Sequence, residues 1–128
     1  MNNAETGRAG EDFCAHYYIK NGYEILCRNF HSRYGEIDVI AKNSECIAFI
    51  EVKTRSEDSA LEAKDAVTLS KQRKIIFTAM AYMNKYGTDK QPRFDVFEVI
   101  HKNGKLLRFR KTENAFEADE RVFRTYKF

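Results

Sequence analysis

The sequence has no tryptophan and no Cys-x-x-C, and no apolar run approaches the length of a membrane span. Its cysteines, Cys14, Cys27 and Cys46, are odd in number and far apart, and His16, His31 and His101 lie outside any zinc-like spacing. A structural zinc site is therefore not expected, and reduced buried thiols are. The opening residues Met1-Asn2-Asn3-Ala4-Glu5 carry no apolar stretch of a signal peptide, so the expectation is a cytoplasmic protein with no membrane partner. Internal repeats and low-complexity segments are missing. Charge of one sign is also missing: 22 Lys and Arg against 19 Asp and Glu leave a net +3, which by itself does not announce nucleic acid. What is present is a 43% hydrophobic composition with ten Phe and seven Tyr, enough apolar area for one folded domain over residues 1–128, with 119–128 as a possible tail.

The stretch that organises the rest is Gly35-Glu36-Ile37-Asp38 followed by Glu51-Val52-Lys53. Both lie in apolar segments that read as strands, joined through the short polar Lys42-Asn43-Ser44-Glu45, a hairpin connection. Alternation along a strand puts Glu51 and Lys53 on one face, and the hairpin brings Asp38 opposite or diagonal to Glu51. Two carboxylates and a lysine then gather inside an apolar sheet. Such charges are rarely buried unless paired or bound to a cation. Mg²⁺ suits them because it takes oxygen ligands and keeps several waters. A lysine beside the metal can orient a water or offset phosphate charge. The competing account is a salt bridge between Lys53 and one carboxylate.

Along the chain, Thr6 reads as the cap of a helix to about Lys20, stopped by Asn21-Gly22. Ala9, Phe13, His16 and Tyr17 form its apolar stripe, and Gly7 and Gly10 suggest a close backbone approach. Glu11 lies off that stripe and can be a solvated first-turn glutamate or a functional carboxylate. Tyr23 to Arg28 reads as a strand, and 29–34 as a polar link in which Arg33 and Tyr34 can meet a phosphate or a base. Glu36, two before Asp38, can orient a ligand or simply start a strand at the surface. Arg55 is a candidate phosphate clamp, and residues 56–65 an acidic loop that can gate the site. A second helix from about Ser70 to Tyr86, stopped by Gly87, buries Ile75, Ile76, Ala79, Met80, Tyr82, Met83 and Tyr86. Lys71, Gln72, Arg73 and Lys74 crowd its first turn against the helix dipole, which makes sense at an anion or on a solvated face. Strands follow at 94–100 and 106–110 across Asn103-Gly104. The order predicts an α/β fold, a mixed sheet flanked by helices.

At these residues the chain resembles the YraN family of small bacterial proteins, within the PD-(D/E)xK restriction-endonuclease-like superfamily. The matching pieces are Gly7-Arg8-Ala9-Gly10-Glu11, Arg28-Asn29, Gly35-Glu36-Ile37-Asp38, Phe49-Ile50-Glu51-Val52-Lys53-Thr54-Arg55, Ala66-Val67 with Lys71, and Arg93-Phe94-Asp95-Val96. Ile37-Asp38 stands where the superfamily has Pro-Asp, the segment after Arg55 has neither Gly nor Pro, and residues from Asp119 have no counterpart. The resemblance implies a restriction-endonuclease-like fold and a metal-dependent nuclease. Asp38 and Glu51 would hold Mg²⁺ or Mn²⁺, and Lys53 would assist the water. Glu11 would be an additional metal carboxylate, as in the resolvase-like branch. Arg55, Lys71, Gln72 and Arg33 would meet nucleic acid, DNA in preference to RNA, and a resolvase-like role would imply a homodimer. Two other functions compete: a non-catalytic nucleic-acid-binding module on the same fold, and an adaptor in which Lys53 satisfies both carboxylates.

Overall fold

The computed structural model describes residues 3–57 and 67–118. They form helix α1 (Asn3–Lys20), strands β1 (Glu24–Ser32), β2 (Gly35–Lys42) and β3 (Cys46–Ser56), helix α2 (Leu69–Tyr86), and strands β4 (Gln91–Lys102) and β5 (Lys105–Phe116). The strands make one sheet in the order β1-β2-β3-β4-β5. All neighbours are antiparallel except β3 and β4, which run parallel with Cys46 beside Gln91 and Ser56 beside His101. The α/β mixed sheet flanked by helices is the architecture expected. Two parallel neighbours need a crossover, and α2 lies in it. Among the described residues no helix is long and apolar enough to cross a membrane.

Each face of the sheet has its own core. Ile37, Ile40, Ile47, Phe49, Phe94 and Val96 pack under Ile75, Ile76, Phe77, Ala79 and Tyr82 of α2. Val39, Ala41, Ala48, Ile50, Phe97 and Val99 pack under Cys14 and Tyr18 of α1. The alternation in β3 is regular, odd positions to α2 and even ones to α1, so Glu51 and Lys53 fall on the α2 face. In β2 it breaks. Ile37 and Val39 are two residues apart yet belong to opposite cores. Asn29, at the corresponding place in β1, has φ 54, and the paired register passes from Arg28↔Val39 to Phe30↔Ile37 without an Asn29–Asp38 pair. Asp38 sits at that break.

Several elements differ from their sequence readings. α1 begins before Thr6, which is buried within it. The buried stripe is Thr6, Gly10, Cys14 and Tyr18, and His16 is exposed. Phe13 and Tyr17 only flank it, because their rings reach across to Phe97 and Phe109 at 5.0–5.9 Å. Gly10 meets β3 so closely that a Cβ there would collide with Thr54 Oγ1, whereas nothing approaches Gly7. β1 continues to Ser32, leaving Arg33-Tyr34 as the turn; Ser32 Oγ accepts from Tyr34 N at 3.0 Å and donates to Thr78 Oγ1 at 3.2 Å. Gly35 follows with φ 150, a backbone that side chains disfavour. α2 begins at Leu69, before the expected Ser70, and is capped by Thr68, which accepts from Lys71 N at 3.2 Å; Tyr86 is exposed rather than buried. β4 and β5 are longer than predicted because Asn103-Gly104 closes a hairpin whose arms stay paired to Phe94↔Phe116. Of the thiols, Cys14 and Cys46 are buried and Cys27 is half-buried. Ser56 belongs to β3; the rest of the expected acidic loop, apart from Glu57, and the expected tail 119–128 lie outside the described residues.

Asp95 explains how α1 and the β4–β5 hairpin are tied. Its carboxylate is fully buried and accepts from Arg93 Nε at 2.8 Å, Arg93 Nη2 at 2.7 Å, Tyr18 Oη at 2.8 Å and Asn114 N at 3.1 Å. Arg93 Nη2 also donates to Tyr23 Oη at 2.7 Å. Burial and the Asp95 charge push the Tyr18 hydroxyl far up, so it stays a donor. Truncation would leave the Tyr18 hydroxyl, the Asn114 amide and the Arg93 guanidinium without their acceptor. Asp95→Ala is expected to cost about 3–5 kcal/mol, read as a lower urea midpoint with unchanged slope; a loss under about 1 kcal/mol would mean the network contributes only as a surface pair does.

Candidate active site

The β2–β3 ladder runs from Lys42↔Ile47 to Val39↔Ile50 and no further. At the next step Asp38 turns its Oδ2 to the backbone of β3 and accepts from Val52 N at 2.7 Å. A side chain thus takes the place of a ladder carbonyl where the strands part. The carboxylate is held there in a costly setting. Burial pushes Asp38 up to about 7, and the nearby carboxylates of Glu51, Glu11 and Glu36 push the same way; only the Val52 amide works against them.

Glu51 and Lys53 stand on the α2 face of β3 as the alternation required. The Glu51 side chain is 11% exposed and meets Lys71 Nζ at 3.2 Å. Lys71 therefore belongs to the site, reaching it from the first turn of α2. Lys53 is held below the ordinary lysine range, first by burial and then by the cations of Arg55 and Lys71, while Glu98 and Glu51 oppose the shift. Gln72 is anchored by Nε2 donating to Val67 O at 3.0 Å. Glu36, Glu51, Ser70, Lys71 and Lys74 line a shared recess of about 340 Å³.

The remaining sequence candidates lie around this centre. Arg55 pairs with Glu98 at 3.4 Å, both side chains largely buried. Glu11 reaches the open end of the sheet from α1, where Arg28 Nη2 lies 3.6 Å from it and 2.8 Å from Asp12. Glu36 is exposed and faces His31 Nδ1 at 3.3 Å across the hairpin. Arg33 is exposed in the turn, donating to Tyr34 Oη at 2.8 Å. The structure brings Asp38, Glu51, Lys53 and Lys71 together. Among the described residues no three His, Cys, Asp or Glu side chains converge as a metal-binding group. The donor set is nonetheless of the right kind for a hard cation. One or two carboxylates with water and phosphate oxygens suffice for Mg²⁺, and the crowding that raises Asp38 is what a cation relieves.

Sequence reasoning missed Glu98. It lies beside Lys53 in the parallel register, and its carboxylate holds both Arg55 and Arg110, the latter at 3.0 Å. The signal was available: Phe94 and Val96 face the α2 core, so Glu98 is the acidic residue at the next inward position, as Glu51 is in β3.

Asp38 makes stability depend on pH. The folded carboxyl titrates near 7, against 3.8 ordinarily. Between those values the folded chain binds a proton that the unfolded chain has released, so stability falls as pH rises from about 4 to 7. Asn cannot ionise. Asp38→Asn is expected to melt higher than the parent at pH 8 by about 4 °C or more, with the gap shrinking toward pH 5. Parallel melting curves at both pH values would show that Asp38 is ordinary.

The sequence profile of the uncharacterised protein family UPF0102 matches residues 10–99. A UPF0102 protein of Symbiobacterium thermophilum is 41% identical over 113 residues, covering 88% of this chain and 96% of the relative. One of Chlorobium chlorochromatii is 45% identical over 95 residues, 74% of each chain. Among solved structures, a repair endonuclease from Pyrococcus abyssi is similar with a TM-score of 0.36 and 16% identity, over 78% of this chain and 38% of that one. This chain thus spans about two fifths of that endonuclease. With 90 of its 128 residues inside the family profile, the chain belongs to the UPF0102 family, the YraN family of the sequence reading.

Proposed function

We propose that the protein is a metal-dependent nuclease of the cytoplasm, hydrolysing phosphodiester bonds of DNA in preference to RNA, with branched or structured DNA as its substrate. The observation that carries this reading is Asp38: a carboxylate lodged where two strands part, raised by burial and by three other carboxylates, one of which, Glu51, also acts on a lysine whose own charge is disfavoured. No structural need explains both perturbations at one point, and perturbed groups of opposite sign in a cleft mark working sites.

Asp38 and Glu51 would hold Mg²⁺ or Mn²⁺, with Glu11 as a further carboxylate. Bound there, the ion would supply an acidified water and positive charge for the phosphate oxygens. The chain's own groups do the rest. Lys53 orients that water and can accept or return a proton at Nζ, which its lowered pKa favours. Lys71 neutralises Glu51 in the resting protein and is freed for a phosphate once Glu51 has another partner. Arg55 offers a planar fork to phosphate oxygens, Gln72 and Arg33 extend the contact on either side, and Glu36 orients groups at the rim. Exposed Leu106, Leu107 and Phe109 on the outermost strand favour a second copy as partner there.

A non-catalytic nucleic-acid-binding module is the second reading, favoured by the Lys71–Glu51 pair, which already satisfies one carboxylate. A panel of linear, flapped, branched and single-stranded DNA and RNA, with Mg²⁺, Mn²⁺ or chelator, separates the two. Wild type is expected to cut in metal only. Asp38→Asn should abolish cutting, and Lys53→Ala should slow it by roughly a hundredfold or more, with the melting cooperativity kept. Salt-sensitive binding without cutting, equal in all three proteins, would favour the module. For the partner, wild type is expected to sediment as a dimer and Leu107→Arg as a monomer; identical sedimentation of both would remove the β5 surface from the interface.

A further inference from the structure

A second recess, of about 300 Å³, is lined by Lys53. Its floor is apolar: Val96 and Phe116 are 7% and 9% exposed, and the Phe116 ring is itself stacked on Phe94 at 5.2 Å. Gln72 approaches from the first turn of α2, and Glu98 and Arg110 form a polar side, bonded at 3.0 Å. Ala115 and Thr112 of β5 close the mouth with small side chains. The Arg110 side chain is 74% exposed, so it is a movable rim, while Glu98 at 16% is part of the wall.

This is a pocket with flat apolar surface and a few polar groups at one edge, at the lower end of ligand-pocket sizes. A phosphate gains nothing from Val96 and Phe116, and the rim cation Arg110 is already bonded to Glu98. A nucleobase fits each feature. Its face can lie on the apolar floor as bases lie on aromatic platforms, and its edge can meet the amide of Gln72 and the carboxylate of Glu98, a natural acceptor for an exocyclic amine. Since Lys53, which Glu51 acts on electrostatically, lines this recess, a base in it belongs to a nucleotide next to the phosphate held at Asp38 and Glu51.

Resting on the nuclease reading of that site, we propose that this recess receives an unstacked base flanking the scissile phosphate, so that the substrate class is nucleic acid with an unpaired nucleotide at the cut. A base inside a duplex cannot enter a pocket without leaving its stack, which costs a few kcal/mol that an unpaired nucleotide does not lose. Unpaired nucleotides occur at flaps, junctions and bulges, and the recess selects among these by the base it accepts rather than by overall shape.

The test is fluorescence anisotropy on two labelled DNAs, a duplex with one unpaired nucleotide and the same duplex fully paired, with Ca²⁺ replacing Mg²⁺. Wild type is expected to bind the first roughly tenfold tighter. Ala115→Phe and, separately, Thr112→Phe fill the recess from exposed positions of the edge strand and should bring the two affinities within about twofold of each other, with duplex binding unchanged. Having two filling variants keeps the result readable where one fails to fold. Equal affinities in wild type, no binding of either DNA, or a preference that survives in a folded filling variant would each overturn the pocket. Metal-dependent cutting without the preference would leave the nuclease and remove the pocket; the preference without any cutting would do the reverse.

Discussion

Strand β3 is paired on both sides, antiparallel to β2 and parallel to β4. Parallel neighbours cannot be joined by a tight turn, so the chain must cross over the sheet, and the crossover carries α2 back against the strand direction. The N-terminus of α2 therefore arrives at the ends of β3 and β4 where Glu51, Lys53 and Glu98 stand. This is the general reason that open α/β sheets hold ligands beyond the carboxyl ends of their strands. Sheets of this kind also need cover on both faces, which α1 and α2 provide with separate cores.

Within that frame the polar positions divide into two kinds. The Asp95 network is complete: every oxygen lone pair has a donor, and its role is to fasten α1 to the last hairpin. The Asp38 region has the opposite character. One strong amide bond is made, and three further carboxylates stand near enough to raise the group. Asp95 is fully buried with its acceptors filled, whereas the half-buried Asp38 is raised to about 7, poised between its two forms near neutrality. That contrast separates architecture from chemistry in this chain.

The first turn of α2 reconciles an apparent conflict. Lys71, Gln72, Arg73 and Lys74 oppose the helix dipole, and local preference alone would move them elsewhere. In the fold Lys71 neutralises Glu51, which compensates for its place in the dipole. The same turn places Gln72 on the second recess, so one helix end serves both openings.

Much of this could be read from residues alone. The β2–β3 hairpin, the shared face of Glu51 and Lys53, the Asn103-Gly104 turn and the stop at Gly87 follow from period-two alternation and from turn and cap chemistry, which are local. The α1 stripe was misread because Phe13 and Tyr17 are large enough to look like core while Gly10 and Cys14, small and silent in the pattern, make the closest approach to β3. Strand ends were too short because ladders extend as far as a partner allows, not as far as propensity suggests. What only the tertiary structure decided is the company each charge keeps. The sequence by itself determined that Asp38, Glu51 and Lys53 meet, since a short hairpin leaves them no alternative. That Glu98 stands beside Lys53, that Lys71 turns to Glu51, that Glu11 arrives from α1, and that Asp38 swings to the Val52 amide at a break in the alternation all depend on the crossover and on long-range register, which no local pattern encodes.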